Sequence, residues 1–204
     1  METMSKPTLL AVAALSVLAA TVATAAPAHA QSIIKNPGDH PNYGVELEPH
    51  LDFGWANFNS NGFGAGLRAG IPIVQNGFIP TINNSVAISF GADILRFSGC
   101  YYGNTFFANG SDIGCGATYF IFPVTMQWNF WLTDKWSVFA EPGLALRHAF
   151  TDSTYCDARY YDCRSTTSFF PAFYGGARFH LGETTALTMR LGYPTAVSVG
   201  LSFF

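Results

Sequence analysis

"YGVELEPHLDFGW", residues 43–55, sets Glu46, Glu48, His50 and Asp52 at every second position, with Val45, Leu47, Leu51, Phe53 and Trp55 between them. A period of two is that of a β-strand, whose successive side chains point to opposite faces. Four ionisable groups therefore share one face, and aliphatic and aromatic groups the other. A soluble antiparallel sheet also alternates, but it turns its apolar face to a core and its polar face to water. The same pattern turned inside out, with apolar side chains toward lipid and polar ones inward, is that of a membrane-spanning barrel.

The pattern recurs along the chain. A first strand is expected over Tyr43–Ala56 and a second over Gly62–Val74, with Phe63, Ala65, Leu67, Ala69, Ile71 and Ile73 opposite Gly64, Gly66, Arg68 and Gly70. Ser85–Arg96 sets Val86, Ile88, Phe90, Ala92 and Ile94 against Ser89, Gly91 and Asp93. Thr118–Leu132 directs Phe120, Phe122, Val124, Met126, Trp128 and Phe130 away from Thr125, Gln127 and Asn129. In Trp136–Phe150, Trp136, Val138, Ala140, Leu144 and Leu146 oppose Ser137, Glu141, Gly143 and Arg147. Three more segments follow: Phe169–Leu181, a stretch through Tyr193 that carries Arg190, and Ala196–Phe204. Connections after the first, third and fifth segments are longer or polar, and those after the fourth ("TDK") and sixth ("GET") are short. "QNGFIPTINN" and the short "PT" depart from that asymmetry. The expected fold is all-β, an eight-stranded antiparallel up-and-down transmembrane β-barrel, with outward positions occupied by Phe, Leu, Val, Trp and Met.

Ahead of the barrel, residues 1–30 read as a cleaved signal peptide: Lys6, an apolar run from Leu9 to Ala26, and the small-x-small site Ala28-His29-Ala30. Residues 31–42 carry two prolines and no periodicity, and are expected to form an irregular periplasmic tail before a barrel over 43–204. The formal charge of the whole chain is −3, and beyond the leader the only lysines are Lys35 and Lys135, so nucleic acid is not an expected partner. Export makes disulfides plausible, with Cys100 paired to Cys115 and Cys156 to Cys163, each pair within one loop. No C-x-x-C and no neighbouring histidine at ligand spacing supports zinc there, and neither a metal nor a cofactor is expected.

The leader, the eight alternating segments, Trp128, Trp131 and Trp136 near one rim and the ending "VSVGLSFF" resemble the OmpA/OmpX-type eight-stranded outer-membrane barrels. The resemblance implies an outer-membrane location among lipids and lipopolysaccharide. It also implies a terminal Phe204 that serves as an assembly signal for the barrel-assembly machinery. Members act as adhesins, protective or envelope-linking proteins, small-solute pores or lipid-modifying enzymes, so the fold does not select among these roles.

Three constellations bear on function. Gly64-Ala65-Gly66-Leu67-Arg68-Ala69 fits G-x-G-x-x-A but lacks the following helix that a dinucleotide site needs. His148 near the outer rim, with Ser153 and Asp157 or Asp162, resembles the layout of lipid A deacylases, although Ser153 falls in a loop and not on the same strand face. The third is the lumen: Glu46, Glu48, His50, Asp52, Asp93 and Glu141 face Arg68, Arg147, Arg178 and Arg190, and the signs nearly cancel. Glu48 and Arg68 are expected opposite each other on the first two strands, and Glu141, Arg178 and Arg190 at one height on the fifth to seventh. An eight-stranded barrel is only wide enough for side chains to fill. The leading expectation is therefore a non-enzymatic barrel with a polar plugged lumen and two disulfide-clamped outer loops in a structural, adhesive or protective role, able to meet an extracellular ligand. A lipid A-modifying hydrolase and a small-solute pore are the alternatives.

Overall fold

The computed structural model describes residues 31–56, 60–98, 116–151 and 165–204. Eight strands, β1 Glu46–Ala56, β2 Ser60–Val74, β3 Asn84–Ser98, β4 Gly116–Trp131, β5 Trp136–Thr151, β6 Thr166–His180, β7 Thr185–Tyr193 and β8 Val197–Phe203, pair antiparallel in sequence order. β8 returns to β1 and closes the barrel. Each expected strand is present. β1 begins three residues later than the alternation suggested, and β4 and β6 begin earlier.

The outer wall is apolar around the circuit. At mid-height the registered neighbours Phe90, Val124 and Leu144 are exposed by 43, 57 and 62%. Leu47, Leu67, Met189 and Leu201 continue the belt on other strands. Single exposed leucines need no explanation, but a continuous belt on every side would be unstable in water and matches hydrocarbon. Closure pairs the strand edges that lipid would not tolerate.

Three interruptions of the ladder fall at prolines, which lack the N–H donor. Pairing skips Pro49 between β1 and β8, Pro123 between β3 and β4, and Pro142 between β4 and β5, and resumes in register on the far side. The wall also varies in height. β7 and β8 have only 9 and 7 residues and are joined by a tight turn that Gly192 N–H closes onto Ala196 C=O at 2.9 Å. Pairing of β6 with β7 therefore begins at Phe173, and the upper part of β6 rises above its neighbour.

The end of the barrel holding the turns after β4 and β6, hereafter the turn end, is closed by residues 32–43. This segment is irregular yet docked. Ser32 bridges Thr133, Ile33 N–H donates to Leu132 C=O at 3.0 Å, and Asn83 N–H to Ile34 C=O at 2.7 Å. Asn83 Nδ2 donates to Asp39 C=O at 2.7 Å while its Oδ1 lies 2.6 Å from His40 Nδ1. The His40 ring stacks on Trp131, 5.3 Å between centroids.

Val86 corrects an expectation. The alternation places it on the outward, lipid-facing side, but it is fully buried between its register neighbours Val74 and Trp128. The long second connection folds back beside it. Asn84 Nδ2 holds the carbonyls of Ile79 and Ile82, each at 2.8 Å, Asn84 Oδ1 accepts from Trp128 Nε1 at 3.0 Å, and Phe78 meets Trp128 edge-on.

Candidate functional site: the charged interior

β1 enters from the turn end, so its inward side chains climb in the order Glu46, Glu48, His50, Asp52, each at most 4% exposed. Arginines arrive from β2, β6 and β7. Arg178 donates to Glu46 Oε1 and, at 2.8 Å, to Asn129 Oδ1. One level higher, Arg190 grips Glu48 with both Nη atoms at 2.6 and 3.0 Å, and reaches Glu141 through Nε at 3.1 Å and Nη2 at 3.2 Å. Arg68 spans Glu141 and Asp93 at 3.3 and 3.4 Å. At the top His50 Nε2 lies 3.0 Å from Asp93 Oδ1, and Ser198 donates to Asp52 Oδ1 at 2.7 Å.

Neutral groups complete the shell. Gln127 Nε2 donates to Glu141 at 2.6 Å, and the Ser202 hydroxyl lies 2.8 Å from Glu46 Oε1 and 3.2 Å from Glu48 Oε2. Phe139 lies beneath the guanidiniums of Arg178 and Arg190, and Tyr174 beneath that of Arg68. Ion pairs taken from water are costly unless their remaining lone pairs and protons are matched. Most of them are matched here by strands far apart in sequence, so the network ties β1, β2, β3, β5, β6 and β7 across the lumen.

Two layers low in charge bound the network. Toward the loop end Leu95, Phe97, Ile121, Ala145, Ala172 and Tyr174 form an apolar cluster, with Tyr119 and Phe170 packed against it. At the turn end Trp131, His180 and Phe204 lie ring against ring in series, the first pair tilted and the second stacked, 5.0 and 5.8 Å between centroids. His180 Nε2 is hydrogen-bonded to Ser137 Oγ at 3.1 Å.

The structure brings together nine of the ten lumen residues expected from the alternation, but pairs several differently. Glu48 and Arg68 are registered neighbours, yet Arg68 turns to Asp93 and Glu141 while Glu48 is held by Arg190. Arg178 binds Glu46 and not Glu141. Arg147 is half-buried and belongs to the upper layer, its guanidinium 5.1 Å from the Tyr119 ring and 5.2 Å from that of Phe170. Of the three rim tryptophans, Trp136 faces outward and Trp128 is half-buried on the outer side, whereas Trp131 is turned inward and buried. Its odd-numbered position beside Asn129 in β4 carried that signal. The inward apolar layer has the same parity as the inward polar residues of each strand: Leu95 and Phe97 follow Asp93, and Ile121 precedes Thr125 and Gln127.

His148 faces the outside of the wall, where its Nδ1 meets Thr167 Oγ1 at 2.7 Å and its ring lies edge-on to Phe150. Ser153, Asp157 and Asp162 lie outside the described residues, as do Cys100, Cys115, Cys156 and Cys163. Phe204 follows the last strand residue, Phe203, and its ring packs on Tyr43 at 4.7 Å. The outward run of β8 is Phe203, Leu201, Val199 and Val197, while Ser202 serves the carboxylates inside.

No family model matches the chain, and no curated protein matches its sequence. Solved structures do match. Ail, the attachment invasion locus protein of Yersinia pestis, is 14% identical over 80% of this chain and 94% of its own, with a TM-score of 0.44. Ail in a phospholipid bilayer nanodisc is 16% identical over 79% and 99%, with a TM-score of 0.42. A de novo designed transmembrane β-barrel is 12% identical over 80% and 98%, with a TM-score of 0.39. The closed eight-stranded antiparallel circuit, the lipid-matched outer belt and the polar interior define the class of this molecule: a transmembrane β-barrel of the outer-membrane type.

Proposed function

We propose that the protein is an exported, non-enzymatic outer-membrane barrel with a plugged lumen, whose outer segments 99–115 and 152–164 form its working surface in a structural, adhesive or protective role. The observation that carries this reading is the filling of the interior: an apolar layer, a layer of paired charges and an aromatic layer stacked from loop end to turn end. A barrel filled in this way offers solutes no water path, and most of the groups inside are occupied with each other. What remains to meet other molecules is the outer surface.

In this reading residues 1–30 are removed on export, the docked segment 32–43 faces the periplasm, and lipids and lipopolysaccharide surround the belt. Disulfides Cys100–Cys115 and Cys156–Cys163 clamp the two outer segments; each closure of this size is worth about 3 kcal/mol, acting largely on the unfolded chain. Cell fractionation together with heat-modifiable migration on detergent gels tests the proposal. The expected result is a folded, faster-migrating band confined to the outer-membrane fraction. Recovery of the mature chain only from the periplasmic extract overturns it.

A further inference from the structure

We infer that His50, Asp52 and Asp93 form a binding site for a divalent metal ion of the zinc, cobalt or manganese class inside the barrel. Their donor atoms all lie within 4.8 Å of one another, and all three side chains are buried. The geometry leaves a cation-sized demand at this point. His50 Nδ1 faces the Glu48 carbonyl at 3.1 Å and so carries the ring proton there. In the neutral ring Nε2 then presents a lone pair to two carboxylate oxygens, Asp93 Oδ1 at 3.0 Å and Asp52 Oδ2 at 3.5 Å.

A proton on Nε2 provides one donor, which the nearer Asp93 takes. Asp52 Oδ2 is buried and has no hydrogen-bond partner. A divalent ion satisfies all three atoms at once. Ligands about 2.0–2.1 Å from a tetrahedral ion stand about 3.3 Å apart, and the two separations from Nε2 straddle that value. The supporting bonds of a metal site are present as well. The ring is oriented by the Glu48 carbonyl, Asp52 by Ser198 at 2.7 Å, and Asp93 by Arg68 at 3.4 Å. Gly66 keeps the space open, since a Cβ at that position would collide with both His50 Nε2 and Asp93 Oδ1.

Charge points the same way. Among the described residues the interior buries five carboxylates, Glu46, Glu48, Asp52, Asp93 and Glu141, against three guanidiniums, Arg68, Arg178 and Arg190. A dication neutralises the surplus where it is concentrated. One imidazole with two carboxylates suits zinc, cobalt or manganese better than calcium or magnesium, which favour all-oxygen shells. The inference is independent of what the outer surface does.

The test folds the full chain, with its four cysteines replaced by serine, into detergent in the presence of cobalt or zinc, removes free ion, and measures bound metal and the cobalt visible spectrum. Folding of every variant is checked by its gel shift. About one tightly held ion per folded chain is expected, with cobalt bands of a nitrogen–oxygen site. Asp52→Asn and His50→Gln are expected to weaken retention at least tenfold, and His40→Ala at the turn end to leave it unchanged. A folded parent protein with neither stoichiometric metal nor cobalt bands overturns the site, as does full retention in folded Asp52→Asn. Should Asp52→Asn not fold, nitrogen-15 NMR of the zinc-loaded parent decides: a proton on His50 Nε2 overturns the site, and its loss with a metal-bound shift supports it.

Discussion

Arg190 on β7 holds Glu48 on β1 with two hydrogen bonds of 2.6 and 3.0 Å, and the same guanidinium reaches Glu141 on β5. One side chain thus braces three strands across the lumen. Breaking a buried pair leaves a charge with no partner, which costs about 3–5 kcal/mol, whereas replacing both partners by apolar groups is often far milder. Arg190→Met is therefore expected to lower the urea midpoint of the folded band sharply. Arg190→Met combined with Glu48→Leu should recover much of that loss, because Glu141 keeps Arg68 and Gln127. A single variant as stable as the parent would contradict the bracing role.

Arg190→Lys is not expected to substitute, since an ammonium cannot reproduce the planar fork that meets both oxygens of Glu48. The same denaturation experiment reads it.

How far this interior was legible in the sequence depends on the length of the side chain. The facing of Glu46, Glu48, His50 and Asp52 follows from a period of two, because a strand fixes the direction of each Cβ. The partner of an arginine does not follow, because its long stem carries the guanidinium past its registered neighbour. Arg68 sits opposite Glu48 in the ladder yet bonds Asp93 and Glu141. The docking of residues 32–43 was hidden for another reason: it depends on Asn83, in a connection whose fold no periodicity encodes. The burial of Val86 does not follow from the period of two, because alternation reports the face of the strand and not what covers that face.

The outer belt makes a prediction of opposite character. Val124, in the middle of β4, is 57% exposed on the apolar wall. Val124→Arg is expected to cost about 2–4 kcal/mol in lipid, where the charge has no water. In lipid vesicles the urea midpoint should fall. An unchanged midpoint would mean that this face does not meet hydrocarbon.

Tyr43, ahead of β1 at the turn end, has its hydroxyl pushed up to about 12, chiefly by burial, with Arg178 opposing and Glu46 adding to the shift. The unfolded phenol ionises near 10. The linked stability is therefore intact below pH 10 and is lost as pH rises from 10 toward 12. Phenolate absorbance of the parent minus that of Tyr43→Phe should show one late-titrating tyrosine. A difference curve centred at pH 10 would place that ring in water.

Asn83→Ala removes the side-chain ties to His40 and Asp39. Each lost hydrogen bond is worth about 1 kcal/mol. Hydrogen exchange should quicken at Ile33 and at neighbouring amides of the docked segment, while the strands keep their protection. Equal loss of protection throughout would show that the segment and the barrel open together.

Closure of the lumen by its own side chains can be read by recording the purified wild-type protein in planar bilayers. Three filled layers predict negligible steady single-channel conductance at neutral pH. A stable, ion-selective open channel would show instead that the acidic row of β1 lines a pore.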